Sequence, residues 1–388
     1  MKFLFLCFAL ALFVAPVTVF ANDVQQVKIT AVGDLMVHIE QYEDALKRGG
    51  EVCDFSHNFS QIEMYFRDSD IVIGNFETTL AGKDVGFKDY PRFSVPDEFA
   101  TALKNAGFNL LTTANNHSMD SGAEALLRTS KVLRGLGIGQ IGTYASQAER
   151  DEIKIIEKGG ISFAFLAYTF STNQIHPPKP YMVNMLCEDL YKGDIARARE
   201  QQGADFVIVL AHLGNEYETY PSPQHINTVM AMFEAGADII LCSHPHVVAP
   251  AKYVDITNND GSTRRGFVVY SLGNFISGQR EWARDAGAVF NFYFEKAGDA
   301  PPVLADVSFI PTWVRFHKNG EFDIAVLSVY DVLRTEFWGG ETGLSKSDLE
   351  RVRTVQRETT KIITGTSIPE DNIEVEYPVP RPSPASLY

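Results

Sequence analysis

Carboxylate, carboxamide and imidazole groups recur in six short clusters along this sequence. Gly33-Asp34 follows the apolar run 27–32, Asn75-Phe76-Glu77 follows 71–73, and Asn115-Asn116-His117 follows Leu110-Leu111. His212 follows 206–210, His244-Pro245-His246 follows 239–241, and Gly273-Asn274 follows 267–270. Any one of these is ordinary turn chemistry, since Gly, Asn and Asp commonly end strands. Three imidazole-bearing clusters placed alike ask for more. This mixture of donors suits one or two divalent ions of the Zn, Mn or Fe type. Asp34 and Glu77 are the candidate carboxylate ligands, Asn116 the neutral oxygen ligand, and His212, His244 and His246 the imidazoles. In an extended segment His244 and His246 point to the same side, so both reach neighbouring ions. His117 lies next to Asn116 and points elsewhere, which makes it a candidate acid for a leaving group. Two ions held close together activate water, orient a phosphate and offset developing charge.

Groups so far apart in sequence meet only if their strands share a rim. In α/β folds ligands bind along the carboxyl ends of parallel strands. Helical patterns alternate with the apolar runs at 97–107, 122–137, 189–203 and 222–236, several opening on Asp or Ser and closing on Gly. Two βαβ units result, one from 71–73 through 97–107 to Leu110-Leu111, the other from 206–210 through 222–236 to 239–241. The segments 153–157 and 161–168 form a hairpin through Lys158-Gly159-Gly160. Four more β-rich segments, 289–294, 303–310, 312–317 and 322–329, predict a second, partly antiparallel sheet. Asn319-Gly320 is the expected turn between the last two. Residues 344–363 read as a charged surface helix. The tail from Ser367 is rich in proline and acid, and its end reads as mobile. The segment 173–181, with three prolines and His176, reads as a structural loop.

The first residues read as a secretory signal: Lys2, an apolar stretch over 3–14, and cleavage after Ala21. Export to the cell envelope or medium is the expectation, with no stable membrane span after cleavage. The 388 residues less those 21 suffice for one large domain or two modest ones. A net charge of −15 argues against nucleic acid as a partner. An anionic substrate stays open, because a bound metal reverses the local field. Cleavage leaves Cys53, Cys187 and Cys242, too few for a disulfide framework.

At motif level the chain resembles the CapA family of poly-γ-glutamate capsule synthesis proteins, within the calcineurin-like metallophosphoesterase superfamily. Six motifs carry the resemblance: Ala31-Val32-Gly33-Asp34-Leu35-Met36, Gly74-Asn75-Phe76-Glu77-Thr78-Thr79-Leu80 and Thr113-Ala114-Asn115-Asn116-His117-Ser118-Met119-Asp120; then Ala211-His212-Leu213-Gly214-Asn215-Glu216-Tyr217, Ser243-His244-Pro245-His246-Val247 and Tyr270-Ser271-Leu272-Gly273-Asn274-Phe275. The resemblance implies an α/β fold, a two-sheet sandwich flanked by helices in four layers, αββα. The expected division is a domain over 22–310 with a C-terminal extension over 311–388 packed on it. Metal binding is implied for Asp34, Asn116, His212, His244 and His246, and proton donation for His117. His38, Asn75, Asn115 and Asn274 are expected to support these groups or touch substrate. Two departures stand out. Wider superfamily members place a His two residues after the first Asp, where this chain has Met36. They begin the second motif Gly-Asp, where this chain has Gly74-Asn75 with Glu77 beyond. Both bear on whether one ion binds or two.

Three functions fit these residues. One is an exported hydrolase of phosphoesters. The second is a capsule assembly or export factor that binds an anionic polymer or a cell-envelope synthase and does little chemistry. The third is an amide hydrolase acting on poly-γ-glutamate with the same activated water.

Overall fold

Runs such as Ile71–Phe76 and Ile239–Ser243 are buried at every position. That pattern belongs to strands covered on both faces. The computed structural model describes residues 24–257, 261–318, 322–369 and 371–382. The expected signal segment, the Asn319-Gly320 turn and the end of the tail lie outside the described residues.

In chain order the elements are β1 (Val24–Leu35), α1 (Ile39–Gly49), β2 (Ile71–Phe76), α2 (Asp97–Ala106), β3 (Leu110–Thr112), α3 (Gly122–Gly135), β4 (Gly139–Ile141), α4 (Gln147–Asp151), β5 (Lys154–Lys158) and β6 (Ile161–Thr169). Next come α5 (Glu188–Glu200), β7 (Phe206–His212), α6 (Pro223–Glu234), β8 (Ile239–Ser243), β9 (Ala251–Thr257), β10 (Thr263–Val269) and β11 (Asn274–Ile276). The chain ends with β12 (Ala286–Ala297), β13 (Val303–Lys318), β14 (Phe322–Ser328), α7 (Val329–Phe337), α8 (Lys346–Thr364) and β15 (Tyr377–Pro378).

The first sheet runs β14-β13-β12-β1-β2-β3-β4, with β11 added beside β1 and β15 beside β13. The second runs β5-β6-β7-β8-β10-β9. Strands β1 to β4 are parallel, and so are β6, β7, β8 and β10. Side chains alternate between two cores, as the strand period requires. Ile29, Ile71 and Ile73 face the middle and pack with Phe163, Ile208, Leu210 and Ile239 of the other sheet. Val32 and Val72 face outward onto Phe99, Leu103 and Leu133 of α2 and α3. Val207, Val209 and Ile240 face outward onto Ile195 of α5 and Val229 and Phe233 of α6. The result is helix, sheet, sheet, helix: the expected sandwich.

The helix ends follow their caps. Gly107, at φ 114, closes α2, and Ser222 opens α6 by accepting from the His225 N–H at 3.2 Å. Helices α1, α4 and α7 and strands β4, β9, β11 and β15 lie outside the sequence expectation. Of these, α7 begins where the run 322–329 reads on as strand. Ser328 stops that strand by accepting the Asp331 N–H at 3.3 Å, a helix start.

The segments 303–310 and 312–317 are a single strand, β13, which corrects their separation at residue 311. The expected boundary at 310/311 therefore falls inside a strand. Val314 N–H donates to Asp285 O, on the β12 side. Alternation turns Pro311 to the opposite edge, between the β15 pairing at Ser308 and Phe309 and the β14 pairing that begins at Thr312. No ladder bond there needs the N–H that proline lacks. Helix α8 buries Val352 and Val355 against Trp313 and Leu327, so its charged face is only one of its faces. Among the described residues no helix is long and apolar enough to cross a membrane.

Candidate metal centre

The shared rim is tightest where β1 meets β11. Asp34 N–H donates to Gly273 O at 3.0 Å, and Asp34 pairs with Asn274 on one side and Asn75 on the other. A Cβ on Gly33 would lie 1.9 Å from Gly273 O, so only glycine lets the backbones approach this closely. Glu77 follows β2, Asn116 and His117 follow β3, His212 closes β7, and His244 and His246 follow β8. Both sheets thus contribute, and every one of these side chains is buried.

His244 and His246 do not sit on extended backbone. Their φ values are 102 and 59. This corrects the reason for their convergence: two left-handed residues around Pro245, rather than the pleat, turn both rings inward. Their ring centroids are 6.0 Å apart, and His212 lies 4.9 Å from His244. Left-handed non-glycine residues cost energy and persist where surroundings hold them, commonly at functional sites.

The donors converge on Glu77. Its Oε1 lies 3.7 Å from His212 Nε2, 3.7 Å from His246 Nε2 and 4.0 Å from His117 Nε2. That oxygen is buried with no hydrogen-bond partner. The other oxygen accepts from Asn75 Nδ2 at 2.9 Å, and the same amide donates to Asp34 Oδ1 at 2.8 Å. Two N–H bonds are then used, so the 3.3 Å contact from Asn75 Nδ2 to His212 Nδ1 is left over. Asp34 Oδ2 lies 2.9 Å from His246 Nδ1, which Asn274 Oδ1 also approaches at 3.1 Å. His212 Nε2 is 2.7 Å from Asn116 Oδ1.

Electrostatics set the demand for a cation. Burial, then the neighbouring Asp34 charge, push Glu77 well above the ordinary carboxylate range. Burial also raises Asp34, but the His246 hydrogen bond and charge outweigh it and hold Asp34 low. Burial, followed by the neighbouring imidazoles, lowers His212 well below its usual value and His244 to about 4. A neutral His212 ring facing an unpartnered carboxylate oxygen is what a divalent ion binds. The residues fit such a group. Glu77, His212 and His244 bring one donor atom each within 4.8 Å of one another, as do Asp34, Glu77 and His246. Glu77 belongs to both groups.

The match to known families covers this same rim. A family model described as bacterial capsule synthesis protein PGA_cap matches residues 28–279. The chain belongs to the PGA_cap family. The capsule biosynthesis protein CapA of Bacillus anthracis is 31% identical over 299 residues, covering 74% of this chain and 68% of that one. The PGA biosynthesis protein CapA of Bacillus subtilis (strain 168) is 28% identical over 294 residues, 73% and 71% of the two chains. Among solved structures, the calcineurin-like phosphoesterase YfkN from Bacillus subtilis gives a TM-score of 0.45 at 15% identity, over 74% of this chain and 90% of that one.

The other expected residues of this PGA_cap chain take different places. Asn115 stays behind the donors and ties Asn75 to His117: its Nδ2 donates to Asn75 Oδ1 at 3.1 Å and its Oδ1 accepts from His117 N–H at 3.1 Å. Asn274 supports His246 and is itself anchored on Arg284 O at 2.8 Å. His38 stands apart from the donor groups. It precedes α1, and its Nδ1 accepts from Gly278 N–H at 3.0 Å. Burial pushes it down to about 4, against the pull of Asp89. Met36 is buried and offers no ligand where relatives of the wider superfamily were expected to carry His. Cys242 is a buried thiol, raised by burial, and joins none of the groups; Cys53 and Cys187 are also free.

Two residues were missed by the sequence reading. Asp120 Oδ2 lies 2.7 Å from His117 Nδ1 and also accepts the Phe93 N–H at 2.7 Å. The spacing of three from His117 was the available signal. Glu216 forms a third donor group with His244 and His246, from an exposed position. Nothing in its spacing separates it from Glu218, two residues on.

Proposed function

We propose that this PGA_cap protein is an exported, metal-dependent hydrolase of phosphoesters that serves capsule synthesis. The observation that carries the reading is Glu77 Oε1, buried without a partner and ringed by imidazole nitrogens of three histidines at 3.7–4.0 Å. Asp34, Glu77 and His246 would hold one divalent ion of the Mn, Fe or Zn type; Glu77, His212 and His244, with Asn116, would hold a second. Such ions supply a Lewis acid and lower the pKa of water. The chain supplies the rest. Asn75 steadies both carboxylates. In the imidazolium form His117 donates Nδ1–H to Asp120, which orients the ring so that Nε2–H faces the pocket and can deliver its proton to a leaving oxygen. Secretory export rests on residues 1–21, and the envelope protein's first residue should read Asn22 on N-terminal sequencing; Met1 on a cytosolic protein would overturn it.

One observation favours a second reading, an assembly factor with little turnover. The Asn75 amide donates to both carboxylates that would have to grip metal. Such donors compete with a cation for the same lone pairs.

Metal analysis of the purified mature chain, with phosphomonoester and phosphodiester assays, separates the two. The hydrolase reading expects about one to two transition ions per chain, as this donor set suggests, and turnover that a chelator abolishes. His244→Ala with His246→Ala should cut occupancy. Metal-loaded protein that turns over no phosphoester would leave the assembly reading in its place.

A further inference from the structure

Exposed aromatic rings border the imidazoles of the metal centre. Phe170 is 45% exposed, with its ring centroid 4.7 Å from that of His244. Tyr217 is 41% exposed and lies 6.2 Å from His246. Tyr90 lies 6.4 Å from Phe93, whose ring meets His117 edge-on at 4.7 Å. Scattered exposed rings need no explanation. Three around one buried polar centre do.

Two of them are held from behind. Phe170 follows β6 directly, and its N–H donates to His212 O at 3.1 Å. Tyr217 has φ 67, a left-handed conformation rarely adopted by aromatic residues. Its N–H donates to Pro245 O at 2.8 Å, between the two ligand histidines. The Arg284 guanidinium lies over its ring at 3.4 Å from the centroid, and Arg284 is paired with Glu281. Both rings are therefore placed before any ligand arrives, which spares the cost of ordering them. The chain nearby carries the acids Glu216, Glu218 and Glu281. A polymer of closely spaced carboxylates would meet like charge there. An uncharged ring would meet the exposed parts of Phe170 and of Tyr217, whose ring Arg284 backs on one face.

We propose that Phe170 and Tyr217 form a stacking platform for the organic part of the substrate, so that the preferred phosphoester carries a ring, aromatic or sugar, rather than an open alkyl chain or a polyanion. This rests on the phosphoester reading above. The metal centre takes the phosphoryl group, and the platform selects what is attached to it.

Phosphonates of equal charge test this without turnover. With the mature chain loaded with Mn²⁺, phenylphosphonate should bind about tenfold more tightly than butylphosphonate, the size expected of well-placed ring contacts. In a Phe170→Ala, Tyr217→Asn double variant the preference should shrink to about threefold or less, with metal content unchanged. Asn is chosen because it tolerates left-handed backbone. Should that variant lose metal, Phe170→Leu alone reads the same preference. Equal binding of both phosphonates to the wild-type chain, or a preference that survives the variants, overturns the platform and leaves the hydrolase reading standing. If neither phosphonate binds the loaded protein, the phosphoester reading falls, and the platform with it.

Discussion

Glu77→Gln should weaken binding of divalent metal by more than about 100-fold, beyond what loss of an outer supporting partner costs. The substitution keeps the shape and removes the charge. Asp34, Glu77 and His246 make one donor group, and Glu77, His212 and His244 the other, so a single change strikes both. An amide oxygen in place of Oε1 offers a weaker ligand, and its NH₂ group would point at donors or carboxylates that cannot all accept it. Hydrolysis should fall with occupancy. In chelator-treated protein the sign reverses. Glu77 and Asp34 are two buried carboxylates joined through one amide, and removing one relieves that burden, so the melting temperature should not drop. Titration calorimetry with Mn²⁺ or Zn²⁺ and thermal melts in chelator check the two halves. A Gln variant that still takes up metal like the wild type would sink the bridging role.

His117→Ala should leave metal content near normal and slow hydrolysis of substrates with poor leaving groups by roughly 10²–10⁴-fold. Its Nε2 lies at 4.0 Å from Glu77 Oε1, while Nδ1 is engaged by Asp120 at 2.7 Å. That leaves one nitrogen aimed at the reacting centre. A nitrophenolate leaving group needs little protonation and should suffer much less. Asp120→Asn should give the same pattern, because the amide keeps the shape but no longer offsets the charge of the imidazolium that carries the proton. Steady-state kinetics on an alkyl and a nitrophenyl ester separate the cases. Equal losses on both esters would make His117 a positioning residue, and loss of metal would make it a ligand.

Much of this was legible because it depends on period and punctuation. Fully apolar runs marked the strands with both faces covered, and Asp, Ser and Gly marked most helix ends. The polar clusters marked the rim, since residues at strand ends in a parallel sheet have one place to go. What was not legible depended on partners distant in sequence. Residues 303–310 and 312–317 read as two segments, yet β13 runs through Pro311, which the gap between β14 and β15 tolerates. His244 and His246 read as alternating residues, yet both turn inward through positive φ. Asp120 lies three residues from His117, but that spacing gains meaning only once Phe93 N–H and His117 are seen to share its carboxylate. Glu216 is one acid of several until two imidazoles approach it.

Donors to the centre come from both sheets, and Asp34 meets His246 across 212 positions of sequence. Each donor group is completed only by a histidine beyond β8, so a nascent chain that stops short of His244 and His246 completes none. Bringing such distant segments together is slow compared with forming local helices. On the proposed metal centre, acquisition would be a late event, after the sandwich has closed. On the export proposed above, with the sandwich closing only after it, the ion would be taken from the compartment of arrival, and its identity set by what that compartment offers.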